Sequence, residues 1–298
     1  MTALGAADRP AVRPAALFGR RRSRSRVVVS IARHAGLLSL LLIMLYPLIW
    51  MVGASLRPDN QVFSTLGLWG NALTLDNYRA GWTGQLNFSR YFLNSLTIAS
   101  LAVIGNLVAC SLAAYAFARL EFPGKRVMFA LMLGTMLLPY HVTLVPQYVL
   151  FSELHWINTI LPLVVPKYLA TDAFFIFLMV QFIRTLPREL DDAARLDGCG
   201  HFGIFGRVVI PLAIPALGTV ALFTFIYTWN DFLGPLLYLS RSEQWTVAQG
   251  LAGFLDATGQ SSFGSLFAMS ALSLTPIVGF FLAAQKLLVE GIATSGLK

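Results

Sequence analysis

One stretch of this sequence gathers the residues whose types and spacing could do chemistry. It reads ELDDAARLDGCGHFGIFGRVVIP, from Glu189 to Pro211. Glu189, Asp191, Asp192 and Asp197 lie there beside Arg195 and Arg207, in a 298-residue chain that is only 12% charged. Carboxylates this dense can ligate a metal, trade protons, or pair with basic groups on another surface. Metal binding needs ligands at set intervals, and neither the histidines (34, 141, 155, 201) nor the cysteines (110, 199) offer them. No GxxxxGK[ST], GxSxG or HExxH signature occurs. The expectation is a chain that is not an enzyme, with no catalytic residue, metal site or cofactor of its own. Cys110 sits inside an apolar run, so no disulfide with Cys199 is expected. Recognition is the use left for the acids.

Read locally, the stretch predicts two short helices at an elbow. Pro187 suits a first helical turn, where its missing N–H costs nothing. Glu189, Asp191 and Asp192 then fall at the positive end of the helix dipole. Leu190, Ala193 and Ala194 are spaced to share one face. Gly198 and Gly200 bracket Cys199 and can end the helix or bend the chain. A second apolar segment runs from Phe202 to Val209 and closes at Pro211. Small alanines let another surface approach closely, and acidic flanks suit a groove with a basic rim. A solvated charged loop is the competing reading, and composition leaves both open.

The elements that must position this stretch are strongly apolar. The chain is 56% hydrophobic with a mean hydropathy of +0.68. Soluble domains carry roughly 25% charged residues. This chain cannot cover a water-facing surface with polar groups, so lipid is its expected solvent. Six apolar stretches approach the roughly 20 residues that cross a bilayer core: 35–54, 94–118, 127–150, 161–183, 208–228 and 266–288. The predicted class is an all-α polytopic membrane protein with six spans, covering 35–298 behind a basic tail, 1–34, expected to be disordered. The first span also fits a secretory signal ending at Val52-Gly53-Ala54, but its apolar core is long for one. Pro139, Pro146, Pro162 and Pro166 interrupt the third and fourth spans, which should pack inside a bundle or line a cavity.

The net charge of +8 would suggest a nucleic-acid partner in a soluble protein. Its distribution argues otherwise, and none is expected. Seventeen Lys and Arg residues flank the spans on one side and five on the other. The positive-inside rule then puts both termini and the loop 187–207 in the cytoplasm. Two outer loops, about 55–93 and 239–265, hold Trp69, Trp82 and Trp245, as interfacial anchors or as a docking surface. Tyr140 and His141 could face a pathway through the bundle, although the nearby prolines also account for polarity there. Asp172 is ionisable within a span, a pointer to function or to a helix break. Trp229, Asn230 and Asp231 end the fifth span, either at a pore mouth or as a helix-end cluster.

Asp192-Ala193-Ala194, three residues, Gly198, nine residues and Val208-Val209-Ile210-Pro211 resemble the motif EAA-x3-G-x9-I-x-LP. This EAA motif marks the membrane subunits of bacterial ABC importers. Asp192, Val208 and Ile210 depart from it conservatively. Asp192 is one methylene shorter than the usual glutamate, and Glu189 could share its role. LTLDNYRAGW (73–82), NSLTIAS (94–100), AAYAFARLEFPGK (113–125), LPYHVTLVPQYVLF (138–151), TWNDFLGPLLYL (228–239) and the segment 263–298 resemble the carbohydrate-importer branch, that of the smaller maltose-importer permease.

The resemblance implies a type I importer permease fold in the inner membrane. It implies a heterodimer with a second permease, two copies of an ATPase that bind ATP and Mg, and an external substrate-binding protein. The loop 187–207 would be the coupling helix, with Glu189, Asp192, Ala193, Ala194, Asp197, Gly198 and Pro211 at the ATPase. Tyr140, His141, Asp172, Trp229, Asn230 and Asp231 would be candidates for the substrate path. A carbohydrate is the expected cargo, with glycerol 3-phosphate or another polyol as the alternative. An ion-driven secondary transporter is the reading from another class, with Asp172 and Asp231 as its candidate ion sites.

Overall fold

The structure is a computed structural model that describes residues 24–63, 67–70, 72–84, 86–255 and 262–295. Among the described residues there is no strand. The chain divides into two compact units, 1–49 and 50–298. The first contributes most of α1 (Arg24–Ser55), whose large apolar side chains from Val28 to Ile49 are exposed. A helix this apolar, with no buried face of its own, has lipid as its natural surroundings. Residues 24–34, expected in the disordered tail, are helical instead. The remainder of that tail lies outside the described residues.

The second unit continues with α2 (Asp76–Thr83), α3 (Phe88–Arg119), α4 (Lys125–Thr135) and α5 (Tyr140–Glu153). Then come α6 (Leu161–Tyr168), α7 (Ala173–Thr185), α8 (Glu189–Leu196), α9 (His201–Ile204) and α10 (Ile210–Leu212). It ends with α11 (Ile214–Asn230), α12 (Leu233–Tyr238), α13 (Val247–Ala252) and α14 (Phe263–Ser295). α3 is the central post and packs against α6, α7 and α11, while α14 packs on α11 and α2. Small residues make these approaches possible, as between membrane helices generally. Ala99, Ala102, Ala114 and Ala118 of α3 are buried, and a Cβ on Gly105 would meet the Tyr168 ring at 2.6 Å. One apolar cluster joins Cys110 and Tyr115 to Met179, Ile183 and Val220. Another joins Phe88 and Tyr91 to Phe225, Trp229 and Met269.

Four helical stretches are long and apolar enough to cross a membrane, and two bent pairs bring the number to six if each is one span. The bends fall at prolines. α4 and α5 meet at 101°, with Pro139 as the residue before α5. Proline disfavours helical backbone in the residue ahead of it, so 127–150 is not one continuous helix but a bent pair, a broken span or a re-entrant loop. It is little buried, α4 having no buried residue and α5 only Phe151, but Tyr140 lines a cavity, the second of the two expectations for this span. The fourth span breaks at 169–172, where Ala170 takes φ +54°. The fifth is bent by 77° between 201–212 and α11. Its straight part therefore starts at Ile214, six residues later than the 208 expected. Pro211 and Pro215 both lack an amide hydrogen there, and a π-turn at Phe205–Val209 absorbs the mismatch.

The outer loops are tied down by polar contacts. Arg57 is fully buried, donates to the carbonyls of Val62 (3.0 Å) and Gly67, and lies over the Trp50 ring. Asn77 donates to the carbonyls of Ser55 and Arg57 at 2.8 and 2.6 Å. Trp82 and Trp245 pack against Phe92 and Tyr91, whereas Trp69 is 61% exposed.

Candidate functional site

The elbow forms close to expectation. α8 starts at Glu189 with Arg188 as its N-cap, so Pro187 precedes the helix and does not occupy its first turn. The Arg188 carbonyl accepts from the amides of Asp191 and Asp192 at 2.9 and 3.1 Å. Glu189, Asp191 and Asp192 fall in the first turn and Arg195 in the last, both favourable to the dipole. Gly198 adopts φ +83°, the left-handed conformation for which glycine carries no side-chain penalty. The Gly198 amide donates to the Arg195 carbonyl and the Cys199 amide to the Ala194 carbonyl, at 3.0 and 2.9 Å. That pair of bonds is a Schellman motif. Gly200, in extended backbone, then caps α9.

The two faces of α8 differ from the sequence reading. Leu190 and Ala193 do lie on an exposed face, but Ala194 turns inward, so the two alanines do not present one face. Asp191 and Ala194 are buried, while Leu190, Asp192, Ala193 and Leu196 are exposed, Leu196 at 90%. The wheel turns this way because Asp191 has a partner inside. Its Oδ2 lies 3.1 Å from Nε of Arg119, the last residue of α3, and both side chains are under 5% exposed. Arg119 also donates from a terminal guanidinium nitrogen to the Leu186 carbonyl at 2.9 Å. One arginine therefore grips both the helix and the strap leading into it. A buried charge pair of this kind holds position strongly, because losing either member strands the other. Sequence reasoning missed Arg119 and Asp191. The available signal was an arginine ending an apolar span and four acids where a motif uses one.

Asp192, the motif's acidic residue, stays on the outer face and, among the described residues, forms an ion pair only with Arg195, at 2.6 Å. Glu189, Asp197 and Gly198 are exposed, as is Pro211 within α10. The coupling candidates thus form an outward face, apart from Ala194, which turns inward into the apolar cluster that also holds Ile183 and Ile204.

A second polar region lies along the bundle. A cavity of about 250 Å³ is lined by Tyr140, Lys167, Tyr227, Thr228 and Asp231, among others. Asp231 accepts from the Gly234 amide at 3.1 Å, and a Cβ on Gly234 would meet its other oxygen at 2.5 Å. Lys167 reaches Asp172 at 2.9 Å. Asp172 also accepts from Asn106 at 2.5 Å, and Asn106 donates to Thr224 at 3.0 Å. Asp172 thus links α3 and α6 at the break before α7, and Asn106 extends the link to α11. Tyr140 and Asp231 meet at the cavity as candidates. Trp229 does not: it is 2% exposed and packs between Phe92 and Phe225. Its amphipathic ring is spent on the core. Asn230 bonds back to the Ile226 carbonyl, and His141 stacks edge-on against Tyr140 outside the lining.

Comparison with known proteins fits this geometry. Residues 105–293 match the family described as binding-protein-dependent transport system inner membrane component. The trehalose/maltose transport system permease protein MalG of Thermococcus litoralis is 34% identical over 277 residues, covering 92% of this chain and 99% of that one. The arabinooligosaccharides transport system permease protein AraQ of Halalkalibacterium halodurans is 33% identical over 259 residues, 86% and 92% of the two chains. A solved structure of a bacterial ABC transporter involved in import of the acidic polysaccharide alginate superposes with a TM-score of 0.77 at 22% identity. It spans 89% of this chain and 98% of that one. That likeness fixes the fold as the ABC importer permease fold. On family match and identity together, the chain belongs to the inner membrane components of binding-protein-dependent transport systems.

Proposed function

We propose that this permease carries a carbohydrate across the inner membrane, driven by ATP and Mg bound in separate ATPase subunits. The outward face of α8 carries this reading: an acidic, small-residue face held at a fixed angle by Arg119 and ended by a rigid Schellman turn. Such a helix can transmit a push without melting, as reciprocal coupling between a nucleotide site and a transport path requires. Glu189, Asp192, Ala193, Asp197 and Gly198 would meet the ATPase, with Ala194 and Pro211 supporting them. A second permease would complete the path, and an external binding protein would deliver cargo. Both termini would lie in the cytoplasm, on the side with most Lys and Arg.

The carbohydrate class rests on relatives named for arabinooligosaccharides and for trehalose and maltose. Tyr140, Tyr227 and Asp231 offer aromatic and acceptor groups of the kind hydroxyl-rich ligands use. Lys167 is already neutralised by Asp172, so the cavity has little to offer a phosphorylated polyol. An ion-driven mechanism has no support in a chain of this family. The test is reconstitution with the ATPase subunits, second permease and binding protein, reading sugar-stimulated ATP hydrolysis. Asp192→Lys should weaken ATPase co-purification and stimulation by about tenfold. Normal co-purification and stimulation of that variant would remove α8 from the coupling role.

A further inference from the structure

We propose that a separate cavity of about 540 Å³, at the elbow-side ends of α3, α4 and α7, binds the headgroup of an anionic phospholipid. Its charged lining is Lys125, Arg126, Arg184 and Glu121. Lys125 is spoken for: it donates to Glu121 at 3.0 Å and to the Leu120 carbonyl at 2.6 Å. That hydrogen bond and the charge of Lys125 hold the Glu121 carboxyl below the ordinary glutamate value, so the acid stays ionised. Arg126 and Arg184 have no carboxylate within ion-pair distance among the described residues. The cavity therefore presents two guanidinium groups outside any ion pair, although Glu121 also feels the charge of Arg126, and both are suited to bidentate contact with a phosphate.

The rest of the site is built in the same sense. Phe117 and Phe129 pack at 5.3 Å, and the Arg184 guanidinium sits 5.5 Å from the Phe129 ring centre, which orients its edge. Gly124, at φ +78°, turns the chain so that α4 begins at the cavity, with no acid in its first turn. A helix start of this kind adds to the attraction for an anion.

Lipid is the source favoured over a soluble phosphate because the apolar surface continues past the charges. Val127, which lines the cavity, is 63% exposed, and Met128 and Leu131 follow along α4 at 54% and 67%. Acyl chains can lie there while the headgroup meets the arginines. Basic pockets between membrane helices recognise anionic headgroups in this way. The inference rests on the membrane-spanning reading of these helices, and it needs no assignment of the ATPase interface.

The test is native mass spectrometry of the intact importer complex in mild detergent. Phosphatidylglycerol is offered against phosphatidylcholine with the same acyl chains, and inorganic phosphate serves as competitor. Phosphatidylglycerol should be retained preferentially, and Arg126→Gln/Arg184→Gln should lower its retention about tenfold, each basic group near a surface contributing severalfold. Arg79→Gln/Arg90→Gln, which also removes two exposed charges but lies outside the cavity, controls for net charge and should change nothing. Equal retention by the double variant, or equal retention of phosphatidylcholine, overturns the proposal. Displacement by millimolar inorganic phosphate assigns the cavity to a soluble anion and also overturns it. So does lipid that binds only after the ATPase subunits are stripped away. ATPase co-purification in the same samples reports separately on the importer reading.

Discussion

Two ion pairs of similar length behave differently in this molecule. Arg119 and Asp191 lie 3.1 Å apart with side chains 3% and 4% exposed. Lys167 and Asp172 lie 2.9 Å apart with side chains 29% and 25% exposed. The first joins the end of α3 to a helix 72 positions later and decides which face of α8 turns outward. The second bridges five residues across the break between α6 and α7. Desolvation makes the first nearly obligatory, while solvent screening makes the second a local repair. The lesson is that the charge positioning the coupling candidates lies underneath the motif and not within it.

The sharpest way to break this contrast is to strip one member of the buried pair. Arg119→Met should destabilise the elbow by about 3–5 kcal/mol, because Asp191 is left buried and unpaired. Limited proteolysis around 187–200 and loss of ATPase co-purification would report it. Arg119→Met/Asp191→Leu should recover most of the stability, since an apolar replacement removes both desolvation costs. A single variant that melts like the wild type would mean that the pair does not anchor α8.

Gly198→Pro comes next. Proline cannot adopt φ +83° and cannot donate to the Arg195 carbonyl, so a cost of about 3 kcal/mol or more is expected, confined to the elbow. Membrane insertion should persist while sugar-stimulated ATP hydrolysis disappears; hydrolysis at the normal rate would refute the rigid-elbow account. Gly198→Ala tests the same point more gently, at about 1–2 kcal/mol, because a Cβ there meets nothing within 4 Å and only backbone strain remains.

Lys167→Met should cost about 1 kcal/mol, as Asn106 still holds Asp172. A drop in thermal stability as large as that of Arg119→Met would erase the distinction between the two pairs. Smallest of all, Asp192→Asn should change stability by less than about 0.5 kcal/mol, since its partner Arg195 is exposed. Its effect should show in ATPase affinity alone.

Much of this was legible in the sequence for plain reasons. Apolar runs of near-bilayer length announce spans, and the Gly198 spacing announces a helix end, because both depend on local chain chemistry. The breaks at Pro139 and Pro211 were legible as prolines, but not as bends of 101° and 77°. How far a freed backbone turns depends on what packs beside it. Trp229 read as either a pore-mouth residue or part of a helix-end cluster, because an aromatic at a span end serves pore, lipid or core equally well. Asp191 read as one of several first-turn acids because nothing along the chain connects it to Arg119.

The sequence by itself determined the class of molecule, the six apolar segments, the elbow and the family motif, all set by composition and by spacing within a few residues. Tertiary structure alone decided which acid goes inward. That choice depends on where α3 ends relative to α8, and a buried ion pair is won or lost over a few ångströms that no local pattern encodes.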